Sequence, residues 1–262
     1  MNALVIASTE ADARAASAVE QHHAQMAGAL ALKVEAVLAA AARGADVDAR
    51  MAAEDLVAWC QDELVPHAVA EEATLYAAAR NRPEARLLVD GMLSEHAVIT
   101  GLVGEIAAAT TPLAAASTAR ALQVLFDNHL EKENTLVLPL LVSAPDVSVA
   151  DLLAGMHELV GDEAHHEDEA AHQGEHTCTC GETDTGDYPE LDARAVPHAI
   201  RHATIFGALD GVRPGRGMVL VAPHDPRPLL AQVEQRNPGV FTVEYLEQGP
   251  DAWRLAFVRQ PS

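Results

Sequence analysis

Aromatic side chains are scarce in this 262-residue chain: four Phe, three Tyr and two Trp make up 3 % of it. About half of the residues are nonetheless apolar, and alanine crowds the first half. That profile fits alanine- and leucine-rich helices, which alanine favours intrinsically. Basic residues are also few, 17 Lys and Arg against 39 Asp and Glu, so the formal net charge is −22. Such a charge argues against binding a nucleic-acid backbone or an anionic membrane surface. Three cysteines, two of them one residue apart, make no disulfide framework. The only apolar run near the start is Leu4 to Ala7, with no basic residue before it. It reads as neither a signal peptide nor a membrane span, and a soluble cytoplasmic protein is expected. The length suits two domains or one large one.

Against that background, two short stretches stand out. His67-Ala-Val-Ala-Glu71 places a histidine and a carboxylate one helical turn apart on one face, and His129-Leu-Glu-Lys-Glu133 repeats the arrangement. Both pairs lie on apolar stripes. One runs Leu56, Cys60, Leu64, His67, Glu71, Leu75, Ala78; the other Leu122, Phe126, His129, Glu133, Leu136, Leu140. A histidine and a glutamate inside a core stripe are costly unless something pairs with them.

Helix signals come in order. The first helix is expected from Asp12 to Ala42, stopped by Gly44, with the stripe Val19, His23, Met26, Leu30, Val34, Val37. The second starts near Asp48 and ends before Asn81-Arg82-Pro83, with a kink at Pro66 just before His67. The third, from Pro83, carries Val89, Met92, His96, Ile99, Val103 and Ile106. The fourth opens on Thr111-Pro112 and reaches the Val142 region, with Pro139 bending or ending it. Four amphipathic helices with short connections predict an up-down four-helix bundle over residues 12–143. Each helix puts one histidine on its inner stripe, and two add a glutamate. Taken singly, each histidine could be satisfied by a neighbour. Taken together, His23, His67, Glu71, His96, His129 and Glu133 point to a shared metal centre.

Residues 144–188 read as a linker. No Lys or Arg occurs from Ala144 to Ala193, Val149 to Val160 suits a short helix, and an acidic run follows that cannot build a core. It contains His165, His166, His172, His176, Cys178 and Cys180, of which His176, Cys178 and Cys180 form a candidate second metal site for zinc or another borderline metal. Over residues 189–262 the pattern βαβαββ predicts a small two-layer α/β sandwich, so the whole is an α plus α/β two-domain protein. Its polar candidates are Asp192, Arg194, Arg201, His202, His224 and Asp225, the last two just beyond a strand, where ligand sites often form.

With these residues in view, residues 15–142 resemble the hemerythrin-like, HHE cation-binding family, through His23 in Gln-His-His-Ala-Gln-Met, the His67/Glu71 run, His96 in Ser-Glu-His, and His129 with Glu133. The resemblance implies two iron ions, with manganese as an alternative, bound inside the bundle by those six residues. Thr100 and Asn134 stand where oxygen-carrying members have a histidine and an aspartate. The ligand set looks more like the di-iron proteins linked to nitrosative stress and iron–sulfur cluster repair. The last 70 or so residues resemble an uncharacterised domain related to sulfur-carrier proteins, through Leu191-Asp-Ala-Arg, Arg201-His-Ala-Thr-Ile-Phe, Pro223-His-Asp-Pro-Arg-Pro-Leu and Gln248-Gly-Pro-Asp-Ala-Trp. The carrier cysteine is missing, since that neighbourhood reads Ala195-Val-Pro-His198.

The expected function is a non-haem di-iron protein that binds or reduces oxygen, nitric oxide or peroxide in a stress or sensing role. As an enzyme it would be a di-iron oxidoreductase acting on a small oxidant. The alternatives are an iron-handling or iron–sulfur repair protein, or a regulatory module that signals to a protein partner through the C-terminal domain.

Overall fold

The structure, a computed structural model, describes residues 7, 9–161, 188–198 and 200–261, with the side chains of 157–161 left out. Helix α1 (Glu10–Ala42) starts on Thr9, whose hydroxyl accepts from Asp12 N at 3.1 Å, and stops at Gly44, where φ is +69°. The second rod is built from α2 (Asp46–Trp59), a π turn over Cys60–Leu64, α3 (Val65–Ala73) and, past a break at Thr74, α4 (Leu75–Arg80). Pro66, which cannot donate to the helix ladder, sits just after the π turn that absorbs the missing bond. Helix α5 (Arg86–Ala107) follows. The last rod is α6 (Pro112–Lys132), a π turn over Glu133–Val137, and α7 (Leu138–Val142). Helix α8 (Val149–Gly161) packs on α1 and α3.

The rods pack α1 on α2 and α6, and α5 on α6 and α2. The stripes of α1 and α5 are buried at every expected position. The fourth stripe departs from expectation at its end. Leu136 is 50 % exposed, while Val137, Leu138 and Leu141 are buried. The π turn inserts one extra residue and rotates everything after Glu133 by about 100°. Two apolar clusters result, one around Leu30, Leu56, Ile99 and Leu122, the other around Val19, Leu75, Met92 and Leu138. The histidines fall in the layer between them. By length and composition α1 and α5 are apolar enough to cross a membrane.

The C-terminal region holds β1 (Glu190–Asp192), α9 (Arg201–Asp210), β2 (Gly217–Ala222), α10 (Arg227–Arg236), β3 (Phe241–Gln248) and β4 (Trp253–Arg259). The mixed sheet has the order β1-β2-β4-β3, with β1 parallel to β2 and the other pairs antiparallel. All of β2 is buried, as its uninterrupted apolar sequence requires. Helix α9 begins later than His198, because a turn precedes it: Ile200 N bonds Pro197 O at 3.2 Å, and the Arg201 guanidinium donates to Val196 O.

The two parts touch closely. A Cβ at Gly28 of α1 would lie 2.0 Å from Thr204 O of α9, and one at Gly207 of α9 would lie 2.0 Å from Gln25 O. Only glycine lets the two backbones approach like this. Leu32 of α1 belongs to the core of the C-terminal domain.

Candidate metal centre

The six residues singled out by the helical stripes meet in the layer between the two apolar clusters, each 5 % exposed or less. They fall into two overlapping groups. Donor atoms of His23, His67 and Glu71 all lie within 4.8 Å of one another, and so do those of Glu71, His96, His129 and Glu133. The carboxylates span the two. Glu71 Oε1 lies 3.1 Å from both His23 Nε2 and His67 Nε2, and its Oε2 lies 3.7 Å from His96 Nε2. Glu133 Oε1 is 3.5 Å from His129 Nε2, and its Oε2 is 3.8 Å from His23 Nε2. Each carboxylate thus presents one oxygen to either half of the cluster.

The outer nitrogens of three histidines are held from behind. His96 Nδ1 lies 2.9 Å from Glu72 Oε1, His129 Nδ1 lies 2.9 Å from Glu95 Oε2, and His23 Nδ1 lies 2.8 Å from Asn134 Oδ1. All three neighbours are acceptors, so each Nδ1 carries a proton; His23 Nε2 carries one as well, aimed at Glu71 Oε1 3.1 Å away, whereas His96 and His129 turn the lone pairs of Nε2 inward. Lys132 in turn donates to Glu95. These two lone pairs face each other, with His96 Nε2 and His129 Nε2 2.9 Å apart. Two acceptors do not approach like that without a proton or a cation between or beside them.

Tyr76, part of the second apolar cluster, projects its hydroxyl into the layer. The hydroxyl donates to Glu133 Oε1 and lies 3.1 Å from His129 Nε2, and the ring stacks on His96 at 5.2 Å. Glu72 and His22, neighbours in sequence of Glu71 and His23, stand outside. Glu72 orients His96, while His22 is exposed, with its ring edge-on to His67 at 5.0 Å. The periodicity missed Glu95 and Asn134 as orienting groups. Their one signal is adjacency, Glu95 before His96 and Asn134 after Glu133.

Charge compensation in the layer is incomplete. Burial pushes the His23 imidazolium down, but the Glu71 and Glu133 carboxylates outweigh it and raise the pKa to about 9. Burial likewise opposes ionisation of Glu71, yet His67 and His23 hold it well below the usual carboxylate range. His129 is raised, with burial again outweighed by Glu133 and Glu95. Burial above all, and then the Glu133 and Glu71 charges, keep the Tyr76 phenol protonated. Glu133 Oε2 and His67 Nε2 are buried with no hydrogen-bond partner, since the 3.1 Å approach of His67 to Glu71 is misaligned for one. Orphaned buried polar atoms and inward lone pairs beside shared carboxylates are what bound metal cations would satisfy.

The C-terminal candidates divide. Asp192 pairs with Arg194 at the surface, and Asp225 takes Arg227 and the Tyr245 hydroxyl. His202 and His224 line a small cavity of about 80 Å³ together with Arg201 and His198. His165, His166, His172, His176, Cys178 and Cys180 lie outside the described residues.

The helical region and its buried His/Glu layer define a protein that binds metal cations. Residues 14–141 match the family model of the hemerythrin HHE cation binding domain, a domain that typically binds iron, and residues 190–259 match that of an uncharacterized conserved protein, DUF2249. The chain is therefore a hemerythrin HHE domain followed by a DUF2249 domain. No curated protein and no solved structure matches it.

Proposed function

We propose that residues 12–143 form an up-down four-helix bundle holding two iron ions, which binds or reduces oxygen, nitric oxide or peroxide. The observation that carries this reading is the way Glu71 and Glu133 each offer one oxygen to either half of the cluster. His23 and His67 would complete one half, His96 and His129 the other. Manganese fits the same donor types, since supply and geometry select the metal more than affinity does. When bound, the metal pair supplies one- or two-electron redox chemistry and an open position for a small ligand.

The chain's own residues do the rest. Glu72, Glu95 and Asn134 fix the imidazole orientation. The two apolar clusters exclude bulk water and large substrates. Tyr76 holds a proton on Oη, next to Glu133 and His129. We read the protein as soluble, acting in a stress or sensing role, with residues 189–262 a small two-layer α/β sandwich. A second reading, a regulatory module signalling to a partner protein, is favoured by the direct seat of α9 on α1, the helix that carries His23.

The test is metal content with an absorption spectrum, on protein purified without oxygen and then exposed to air or nitric oxide. Two irons per chain and new charge-transfer bands on exposure, both lost in His67→Ala and Glu133→Ala, are expected. Protein with no stoichiometric iron, and variants of unchanged helicity, would make the buried histidines structural.

A further inference from the structure

A second cavity, of about 160 Å³, opens at the junction of the two domains, between α1, α2 and the segments that flank α9 and β2. Its charge runs against that of the molecule. Lys33, Arg43, Arg213 and Arg216 line it, four of the chain's 17 basic residues, against only Asp48 and Asp55. Lys33 is 7 % exposed, and its ammonium lies 2.9 Å from Asp55 Oδ2. Arg213 leans on the same carboxylate, so one Asp serves two cations. The Arg216 guanidinium makes no hydrogen bond or ion pair among the described residues. With Lys33 and Arg213 sharing Asp55, the Arg216 guanidinium stands as the open cationic group of the cavity, in a chain that elsewhere repels anions.

The second observation is Tyr188. Its ring lies against Gly217, where a Cβ would meet Cε2 at 2.6 Å, and both residues line the cavity. The Tyr188 hydroxyl is buried with no hydrogen-bond partner. A buried hydroxyl left unbonded is costly and calls for an acceptor that arrives from outside. The remaining wall, Leu32, Ala36 and Met51 among it, is apolar. Cationic groups, an unsatisfied hydroxyl and an apolar wall in one concavity between domains are the elements of a small-molecule site.

We propose that this cavity binds a small organic anion, a single carboxylate or phosphate group on a compact apolar body. The anion takes its charge complement from Arg216, Lys33 and Arg213, a hydrogen bond from Tyr188 Oη, and its packing from the apolar wall. The site is separate from the metal layer and requires no metal.

The experiment is calorimetric titration of the full chain with phenyl phosphate, benzoate, inorganic phosphate and neutral phenol. One saturable site per chain for phenyl phosphate or benzoate is expected, weakening with added salt, and whichever of the two binds better names the anionic group. Arg216→Ala should weaken binding by about tenfold or more, and Tyr188→Phe by about fivefold. Both variants should keep wild-type helicity and iron content. The proposal falls if neither organic anion saturates, if both variants bind like the parent, if phenol binds as well as the anions, or if inorganic phosphate alone binds. None of these results depends on the iron reading, which stands or fails on metal content.

Discussion

His96 and His129 meet nitrogen to nitrogen, Nε2 to Nε2 at 2.9 Å, while each is held from behind by a carboxylate, Glu72 and Glu95 respectively. The carboxylates fix both protons on the outer nitrogens and raise the basicity of the inner ones. Glu95→Gln keeps the shape but allows its amide to present a donor, which lets the imidazole turn over. The affinity for iron should fall by about 10- to 100-fold in Glu95→Gln and in Glu72→Gln. Competition with a chelator of known strength measures it. Unchanged affinity in both would mean that the outer carboxylates serve only solubility.

Tyr76 offers a sharper discrimination between a packing residue and one tied to the layer. Its hydroxyl donates to Glu133, which already has an orphaned oxygen. In metal-free protein Tyr76→Phe should cost about 1–3 kcal/mol, because the carboxylate loses its donor. In metal-loaded protein the loss should shrink, and iron should be retained with shifted visible bands. Thermal unfolding of both forms decides: an equal loss in each would reduce Tyr76 to a core aromatic.

These contacts also mark how far the sequence could be read. The histidines and glutamates were legible because a polar group at helical spacing inside an apolar stripe breaks a strong period. Glu72, Glu95 and Asn134 were not, because they stand one residue off the stripe and look like a solvated face. Leu136 was misplaced because the π turn at Glu133–Val137 leaves no mark on local composition. The order of strands and helices in the C-terminal part followed from turn residues and apolar runs. Its docking on α1 did not, since glycines at 28 and 207 acquire a meaning only when the partner backbone is in place.

That docking can be tested by adding one carbon. Gly28→Ala puts a methyl 2.0 Å from Thr204 O, a backbone atom that cannot swing aside. The gain in helix propensity is small beside such overpacking, which costs about 1–3 kcal/mol or forces the helices apart. Gly207→Ala should do the same against Gln25 O. Gly104 of α5 has nothing within 4 Å of its would-be Cβ, so Gly104→Ala should stabilise by about 0.5–1 kcal/mol. A lower melting temperature for the first two and a higher one for the third is expected. A neutral Gly28→Ala would show that α9 does not sit on α1 in solution.

The metal-free protein should also lose stability on the alkaline side. His23 has a folded pKa of about 9 against an ordinary 6.5, because its charged form is paired with Glu71 and Glu133 despite burial. A raised pKa stabilises the fold fully below about 6.5, and that contribution disappears as the pH climbs through 9. It amounts to about 3 kcal/mol for the full shift. Glu71 works at the other end: its lowered pKa stabilises above the ordinary carboxylate value and is lost in acid. Metal-free protein should therefore be most stable between about pH 5 and 6.5 and should melt at falling temperatures from there to pH 9. Cations at the same atoms displace the His23 proton, so the iron-loaded protein should hold its melting temperature over that range. In His23→Gln the alkaline fall should shrink in the metal-free form, with His129, whose pKa is also raised, supplying what remains. Parallel curves for loaded and metal-free protein would show that the buried layer is neither protonated nor metallated at His23.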